Sequence, residues 1–134
     1  LLTMECYAQK KILIVEDEPL LGNLLRQRLE KEGFSITLVR DGEEAFRTLQ
    51  GILAPDLILL DIILPKVSGF ELMEKMNQDP KLADVHIPIV IISNLGQEGD
   101  VEKGQKLGAI GYFVKAQLSI EDLVLKVKEY FGNS

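Results

Sequence analysis

The amino-acid sequence predicts an α/β domain in which helices cover both faces of a parallel β-sheet. Short apolar runs without alternation, typical of strands buried on both sides, recur along the chain. Segments of helical periodicity separate these runs and are long enough to serve as the crossovers that parallel strands need. Several runs end in a charged or hydroxyl side chain, so one edge of the sheet is expected to be polar.

Size and composition limit the class of protein. A chain of 134 residues suits one domain whose core needs no disulfide or metal. Residues 1–9 are interpreted as an N-terminal tail and residues 10–134 as the domain. The lone Cys6 cannot form an internal disulfide, and no apolar run approaches the length of a membrane span, so we expect a cytoplasmic protein without membrane contact. The net charge of −6 argues against direct binding of nucleic acid.

The first predicted strand, Lys11–Val15, ends in three consecutive acidic residues at positions 16–18. Pro19 follows them, and a proline preceded by carboxylates suits the positive end of a helix. Leucines at helical spacing then predict a helix over residues 20–29, and Gly33 is expected to end it.

The second and third strands follow. Residues 34–39 are predicted to form a strand near an edge, and residues 45–49 a short helix. The strand Leu57–Leu60 lies between two prolines and delivers Asp61 to its carboxyl end.

The rest of the chain continues the same alternation. Ser68 is expected to cap the next helix, and Ser119 the last one. The predicted elements are a helix over residues 70–76, a strand over 89–92 that delivers Ser93, a helix over 100–107, a strand over 111–114 that delivers Lys115, and a helix over 120–127. Together they predict a doubly wound sheet of five strands in the order 2-1-3-4-5.

Polar side chains end four of these strands. They are Glu16 and Asp17 after the first strand, Asp61 after the third, Ser93 after the fourth and Lys115 after the fifth. In the predicted order, the first and third strands flank the point where strand order reverses, which is where such sheets bind ligands. Carboxylates gathered there stay ionised only beside a cation, and hard oxygen ligands suit Mg²⁺.

This set of groups suits phosphoryl transfer to an aspartate. Asp61 is the candidate nucleophile, attacking the phosphorus in line. The metal and Lys115 would neutralise charge on the equatorial oxygens, and Ser93 would donate a hydrogen bond to the new phosphoryl group.

The chain resembles the receiver domain of two-component response regulators over roughly residues 10–131. The resemblance rests on residues 14–19 (Ile-Val-Glu-Asp-Glu-Pro), residues 56–61, Leu64 with Pro65, Gly69, Ser93, Gly108 with Ala109, Tyr112 and Lys115. It implies a flavodoxin-like topology.

The resemblance also implies roles for individual residues. Asp61 would be the phosphoacceptor, Asp17 a direct Mg²⁺ ligand, Glu16 a ligand through water, and the carbonyl of Ile63 the remaining protein ligand. Catalysis would be limited to the protein's own phosphorylation and slow dephosphorylation.

The resemblance also implies how the protein would signal. Ser93 and Tyr112 would act as a switch pair, in which Ser93 moves toward the phosphoryl group and the Tyr112 ring turns inward. The phosphodonor would be a phosphohistidine on a histidine kinase or phosphotransfer protein. The downstream protein would read the surface formed by the fourth predicted helix, the fifth strand and the fifth predicted helix, and a homodimer is left open.

The sequence departs from the family pattern near the site. Ala116 stands where the family usually has a proline after Lys115, with a cis bond; before Ala116 a cis bond costs about 3 kcal/mol, so either the loop is strained or the bond is trans. Asn94 stands where a small residue is favoured and is expected to narrow access. Ile63 and Leu95 are expected to flank the pocket mouth, and both are apolar and unable to orient an attacking water, which predicts a long-lived phosphoryl group.

Three alternatives remain. A degenerate receiver would serve only as a protein-binding scaffold, independent of phosphorylation. A Mg²⁺-dependent phosphatase would use Asp61 as nucleophile, but Ile63 occupies the place of the second aspartate that such enzymes need. A flavin-binding domain of this topology would need a phosphate cradle after the first strand, where this chain is acidic.

Overall fold

The sheet has the predicted topology. The computed structural model describes residues 10–51 and 54–132, so the proposed tail and Cys6 lie outside the described residues. Five parallel strands run in the order β2-β1-β3-β4-β5. They are β1 (Lys11–Val15), β2 (Ser35–Val39), β3 (Leu57–Leu60), β4 (Ile89–Ser93) and β5 (Gly111–Val114).

Helices connect the strands, and every predicted helix is present. The described helices are α1 (Pro19–Lys31), α2 (Gly42–Leu49), α3 (Gly69–Gln78), α4 (Pro80–Val85), α5 (Glu98–Lys106), α6 (Ile120–Tyr130) and one 3-10 helix, Lys115–Gln117. Helix α4 was not predicted, because it is too short to show a periodic pattern. Asp79 joins α3 to α4, because its backbone N–H closes the first helix and its carboxylate accepts the N–H groups of Lys81 and Leu82. None of the described helices is long and apolar enough to cross a membrane.

Each face of the sheet carries its own core. The residues of β1, β3 and β4 alternate between the two, as expected for strands buried on both sides. One core takes its helical members from α2, α3 and α4, and the other from α1 and α6. Within β3 all four side chains are fully buried, so truncating Leu59 to alanine is expected to cost about 2–5 kcal/mol of unfolding free energy.

The two edges of the sheet are more exposed than its centre. In β2, burial alternates and only Val39 is buried, which agrees with the predicted edge strand. In β5 all four residues are half-buried. The central strands therefore form a rigid platform, and their carboxyl ends position the candidate site.

Candidate functional site

Asp61 leaves β3 at the centre of the carboxyl edge. Val15 pairs with Leu60, so the residues that follow them in the two parallel strands emerge side by side. The backbone N–H of Asp61 donates to the Val15 carbonyl at 3.0 Å, and its buried side chain accepts the N–H of Ile63 at 3.3 Å. The start of α3 packs against this turn, because a Cβ on Gly69 would lie 2.4 Å from the Asp61 carbonyl oxygen.

Two more carboxylates meet Asp61. Glu16 is buried at the end of β1, and Asp17 beside it is half-buried. One carboxylate oxygen from each of Glu16, Asp17 and Asp61 lies within 4.8 Å of the others. Burial raises the pKa of Glu16 to about 7, and its hydrogen bond from Lys115 works against that shift.

Lys115 supplies the opposing charge. Its Nζ lies 2.9 Å from Asp61 Oδ2, 2.8 Å from Glu16 Oε1 and 2.7 Å from Glu18 Oε2. Burial acts to lower the pKa of Lys115, but the hydrogen bonds to Asp61, Glu16 and Glu18 outweigh it, so the pKa is raised. No cis peptide bond occurs among the described residues, so the Lys115–Ala116 bond is trans and the lysine still reaches the cluster.

Ser93 and Tyr112 lie on neighbouring strands and meet at the loop after β4. Ser93 is fully buried, and its hydroxyl accepts the N–H of Leu95 at 3.3 Å. The Tyr112 hydroxyl donates to the carbonyl of the same Leu95. Burial of the ring raises the pKa of Tyr112, and the nearby charges of Asp100 and Asp61 add to the shift. One short loop therefore holds both members of the predicted switch pair.

An open cleft of about 200 Å³ gives access to these groups, and its lining residues are Asp17, Glu18, Asp61, Ile63, Asn94 and Lys115. Ile63 and Asn94 stand at the cleft as expected. Leu95 does not line it and instead packs, partly buried, against the core on that face, so the expectation that it flanks the mouth is wrong. The loop after β4 turns the Leu95 side chain inward while its backbone holds Ser93 and Tyr112.

Glu18 lines the cleft and contacts Lys115, and this role was not predicted from the sequence. It belongs to the acidic run that follows β1, and the usable signal was that this run precedes Pro19 at the first turn of α1. Such a position directs Glu18 back over the cleft, where it meets Lys115. Only the fold reveals this contact, because 97 positions separate the two residues.

The donor set fits a hard divalent cation. Glu16, Glu18 and Asp61 contact the Lys115 ammonium group, and Asp17 lies close to Glu16 and Asp61. Among the described residues, the cleft therefore carries more negative charge than this lysine can balance. Carboxylate oxygens at an open cleft, with room for water, are the ligands that Mg²⁺ takes. Together, the fold and the site define a doubly wound α/β domain with an acidic cleft, suited to binding a cation, at the point where the strand order reverses.

Comparison with known proteins identifies the family. The response regulator receiver domain profile matches residues 12–128, and the chain belongs to this family. It is 42% identical over 118 residues to the phosphate regulon transcriptional regulatory protein PhoB of Rhizobium meliloti, covering 88% of this chain and 50% of that protein. It is 34% identical over 125 residues to the polar-differentiation response regulator DivK of Brucella anthropi, covering 93% of this chain and 98% of that protein. The chain thus spans about half the length of the PhoB relative and nearly all of DivK.

Solved structures agree with this assignment. The phosphorylated cyanobacterial phytochrome response regulator RcpA is 32% identical with a TM-score of 0.77, over 92% of this chain and 94% of that one. The receiver domain of a sensor histidine kinase from Pseudomonas aeruginosa, solved with a magnesium ion in its active-site cleft, is 26% identical with a TM-score of 0.77, over 92% of this chain and 98% of that one. The predicted family and fold are therefore confirmed.

Proposed function

We propose that this domain is a phospho-acceptor switch that takes a phosphoryl group onto Asp61 from a phosphohistidine donor. The observation that carries the proposal is the contact of a buried aspartate with both an acidic cluster and Lys115 at 2.9 Å. In the transfer, an Asp61 oxygen forms a bond to phosphorus while the P–N bond of the donor breaks. The electron pair stays on the imidazole, which then takes up a proton.

The remaining groups support the reacting atoms. Asp17, Asp61, Glu16 and the Ile63 carbonyl are the groups that would hold Mg²⁺, and a bound Mg²⁺ would supply positive charge near the phosphoryl oxygens. Lys115 adds a positive charge 2.9 Å from Asp61 Oδ2. Because Asp61 is buried and bonded to the Ile63 N–H, its carboxylate is already oriented before a donor arrives.

The switch step involves Ser93 and Tyr112. Ser93 would turn its hydroxyl from the Leu95 N–H toward the new phosphoryl group, and the Leu95 loop would follow. Because the Tyr112 hydroxyl bonds the same loop, its ring would report that motion on the surface formed by α5, β5 and α6. This surface corresponds to the fourth helix, fifth strand and fifth helix of the sequence prediction, since α4 was not counted there. The phosphoryl group can shift the equilibrium between the two arrangements of Ser93, the loop and Tyr112 only by as much as it interacts more favourably with one of them.

The phosphoryl group is expected to be long-lived. Ile63 is 58% exposed at the cleft and offers no polar atom on its side chain to orient an attacking water. Decay of the phosphorylated protein within seconds would contradict this part of the proposal.

A direct test is the intact mass of the protein after incubation with acetyl phosphate, with and without Mg²⁺. The wild type should gain one phosphoryl group only when the metal is present, and Asp61→Ala should gain none. Asp84→Ala is the matched control, because Asp84 is exposed on α4, which precedes the amino end of β4, whereas the cleft lies at the carboxyl ends of the strands. No gain under any condition would favour the phosphorylation-independent scaffold, whereas repeated turnover on small phosphate esters would favour a phosphatase.

A further inference from the structure

An apolar pocket lies at the amino ends of the strands, at the opposite end of the sheet from the acidic cleft. It has a volume of about 280 Å³ and is lined by the start of β5 and the last turns of α6. Leu57, Val90 and Val127 form part of its wall and belong to the core that α1 and α6 cover. These three residues are 0%, 7% and 3% exposed, so the pocket reaches the core.

Gly111, the first residue of β5, keeps this pocket open. It pairs with Val90 on the neighbouring strand, and its φ angle is not positive, so the backbone does not require glycine here. A Cβ on Gly111 would lie 3.6 Å from a Val90 methyl group and 3.8 Å from the Phe113 ring, and packing therefore does not exclude a side chain either. Glycine weakens a strand, and the missing side chain leaves Val90 with fewer contacts. A bound molecule in the space beside Gly111 would restore those contacts.

The lining of the pocket indicates the chemistry of its ligand. An apolar cavity of about 150 Å³ holds benzene, so this pocket has room for about two rings. Phe113 and Tyr130 present aromatic rings, which pair favourably with another ring at an offset or edge to face. Among the lining residues, Lys126 and Glu129 carry the only charges, and their Nζ and Oε1 atoms lie 3.8 Å apart. These opposite charges offset each other, so the lining favours an uncharged ligand.

We propose that this pocket is a binding site for an uncharged bicyclic aromatic molecule. The ring system occupies the space beside Gly111, against Val90, and partly covers Ile110 and Tyr130, which are 53% and 44% exposed at the pocket. The site does not involve Asp61, so it goes beyond the proposed function and does not depend on phosphorylation.

Two substitutions at Gly111 fill the pocket to different extents. Gly111→Ala adds one methyl group, which should weaken binding about fourfold, the effect of losing contact with one methylene group. It should also raise the urea midpoint of unfolding, because it removes a strand glycine and adds a contact to Val90. Gly111→Leu should abolish binding. Gly99→Ala is the matched control, because a Cβ on Gly99, in α5, would meet nothing within 4 Å.

The probe is indole, an uncharged bicyclic aromatic molecule, and indole-3-acetate carries the same ring system with a negative charge. Binding is measured on the unphosphorylated protein from the methyl NMR signals of Leu57, Val90 and Val127. The wild type should bind indole with a Kd of about 1 mM or tighter and indole-3-acetate more weakly. Gly99→Ala should match the wild type with both molecules.

Four outcomes would overturn the inference. Wild-type methyl signals that do not respond to indole well above that Kd would show that the pocket does not bind it. Equal responses in the wild type and in both Gly111 variants would place the binding elsewhere, and tighter binding of indole-3-acetate would contradict an uncharged ligand. If the same signals change when the free protein is diluted, a second copy of the chain occupies the pocket instead. A lower urea midpoint for Gly111→Ala would count against the open space beside Val90, and indole binding to the wild type would still test the site.

Discussion

At the scale of single residues, the site places more than one buried carboxylate beside one lysine. Glu16 and Asp61 are buried carboxylates, and Lys115 is the cation that contacts both. Buried ion pairs contribute little net stability, but removing one partner leaves the other charge uncompensated. The lysine is therefore expected to matter for folding as well as for chemistry.

Replacing Lys115 by methionine tests this point. The variant should lose phosphorylation by acetyl phosphate and should unfold at lower urea, with a loss of about 1–3 kcal/mol. Mg²⁺ should restore part of that stability, because a cation at the cleft compensates the same carboxylates. Urea unfolding with and without Mg²⁺ measures both effects. An unchanged urea midpoint for metal-free Lys115→Met would show that Lys115 does not stabilise the buried carboxylates of Glu16 and Asp61.

Asp17 is the residue on which magnesium affinity should depend most directly. It is half-buried, close to Glu16 and Asp61, and it lines the cleft. Asp17→Asn should weaken Mg²⁺ binding by at least about tenfold, since even outer partners of a metal contribute that much. The Mg²⁺ dependence of the melting temperature or of NMR shifts measures it, with Asp84→Asn as the control. Equal affinity in wild type and Asp17→Asn would exclude Asp17 as a ligand.

Most residues of the candidate site could be predicted from the sequence, because a polar side chain after an apolar run indicates the end of a strand. Glu16, Asp61, Ser93 and Lys115 each follow an apolar run directly, and Asp17 comes next after Glu16. The strand order then brings these residues to one edge of the sheet. Their distances, the contact with Glu18 and the inward turn of Leu95 depend on loops. Loop conformation has no periodic signal, so these features could not be predicted.

At the scale of elements, close packing decides how the site is built. The first residue of α3 is Gly69, and a Cβ there would lie 2.4 Å from the Asp61 carbonyl and 2.7 Å from Ile62 Cα. Those atoms belong to the backbone that carries the Asp61 side chain, so they cannot move without moving Asp61. Gly69 is therefore a requirement of the turn.

Two glycine substitutions give a matched comparison. Gly69→Ala should destabilise the protein by about 1–3 kcal/mol through overpacking and slow phosphorylation by displacing Asp61. Gly99→Ala, in the first turn of α5, meets nothing within 4 Å and should be neutral or stabilising by up to about 1 kcal/mol. Chemical denaturation and acetyl phosphate kinetics on both proteins test this. Equal stability would show that the turn relaxes freely.

The elements also show where a sequence pattern is informative. Strand β3 is apolar throughout, and β1 and β4 are apolar except for Lys11 and Ser93 at their ends, so their existence could be predicted from the sequence. The six-residue α4 is too short to show a periodic pattern, and its start is specified by Asp79, which caps it, and by Pro80 at its first position. The 3-10 helix after β5 was missed because Ala116 replaces the expected proline and gives no strong local preference.

At the scale of the whole molecule, two leucines of α1 are exposed on the helix that begins next to the cleft. Leu20, in the first turn of α1 and two residues from Glu18, is 88% exposed. Leu24, one turn further along the same helix, is also exposed. Large exposed apolar side chains that lie together mark sites of protein contact. Their position beside the cleft mouth suits the docking of a protein phosphodonor.

A protein donor and a small-molecule donor can distinguish an effect on docking from an effect on the phosphorylation step. Leu20→Ser should slow transfer from a phosphorylated histidine phosphotransfer protein by about tenfold, as for loss of an interface residue worth about 1.4 kcal/mol, because it removes apolar contact area. It should leave phosphorylation by acetyl phosphate unchanged, since that donor needs no docking surface. Val85→Ser is the control, because Val85 is 51% exposed and precedes β4 at the opposite edge of the sheet. Rapid-quench kinetics with both donors measure the effect. Equal slowing with both donors would show that Leu20 affects the phosphorylation step itself. No slowing with either donor would show that this surface does not bind the protein donor.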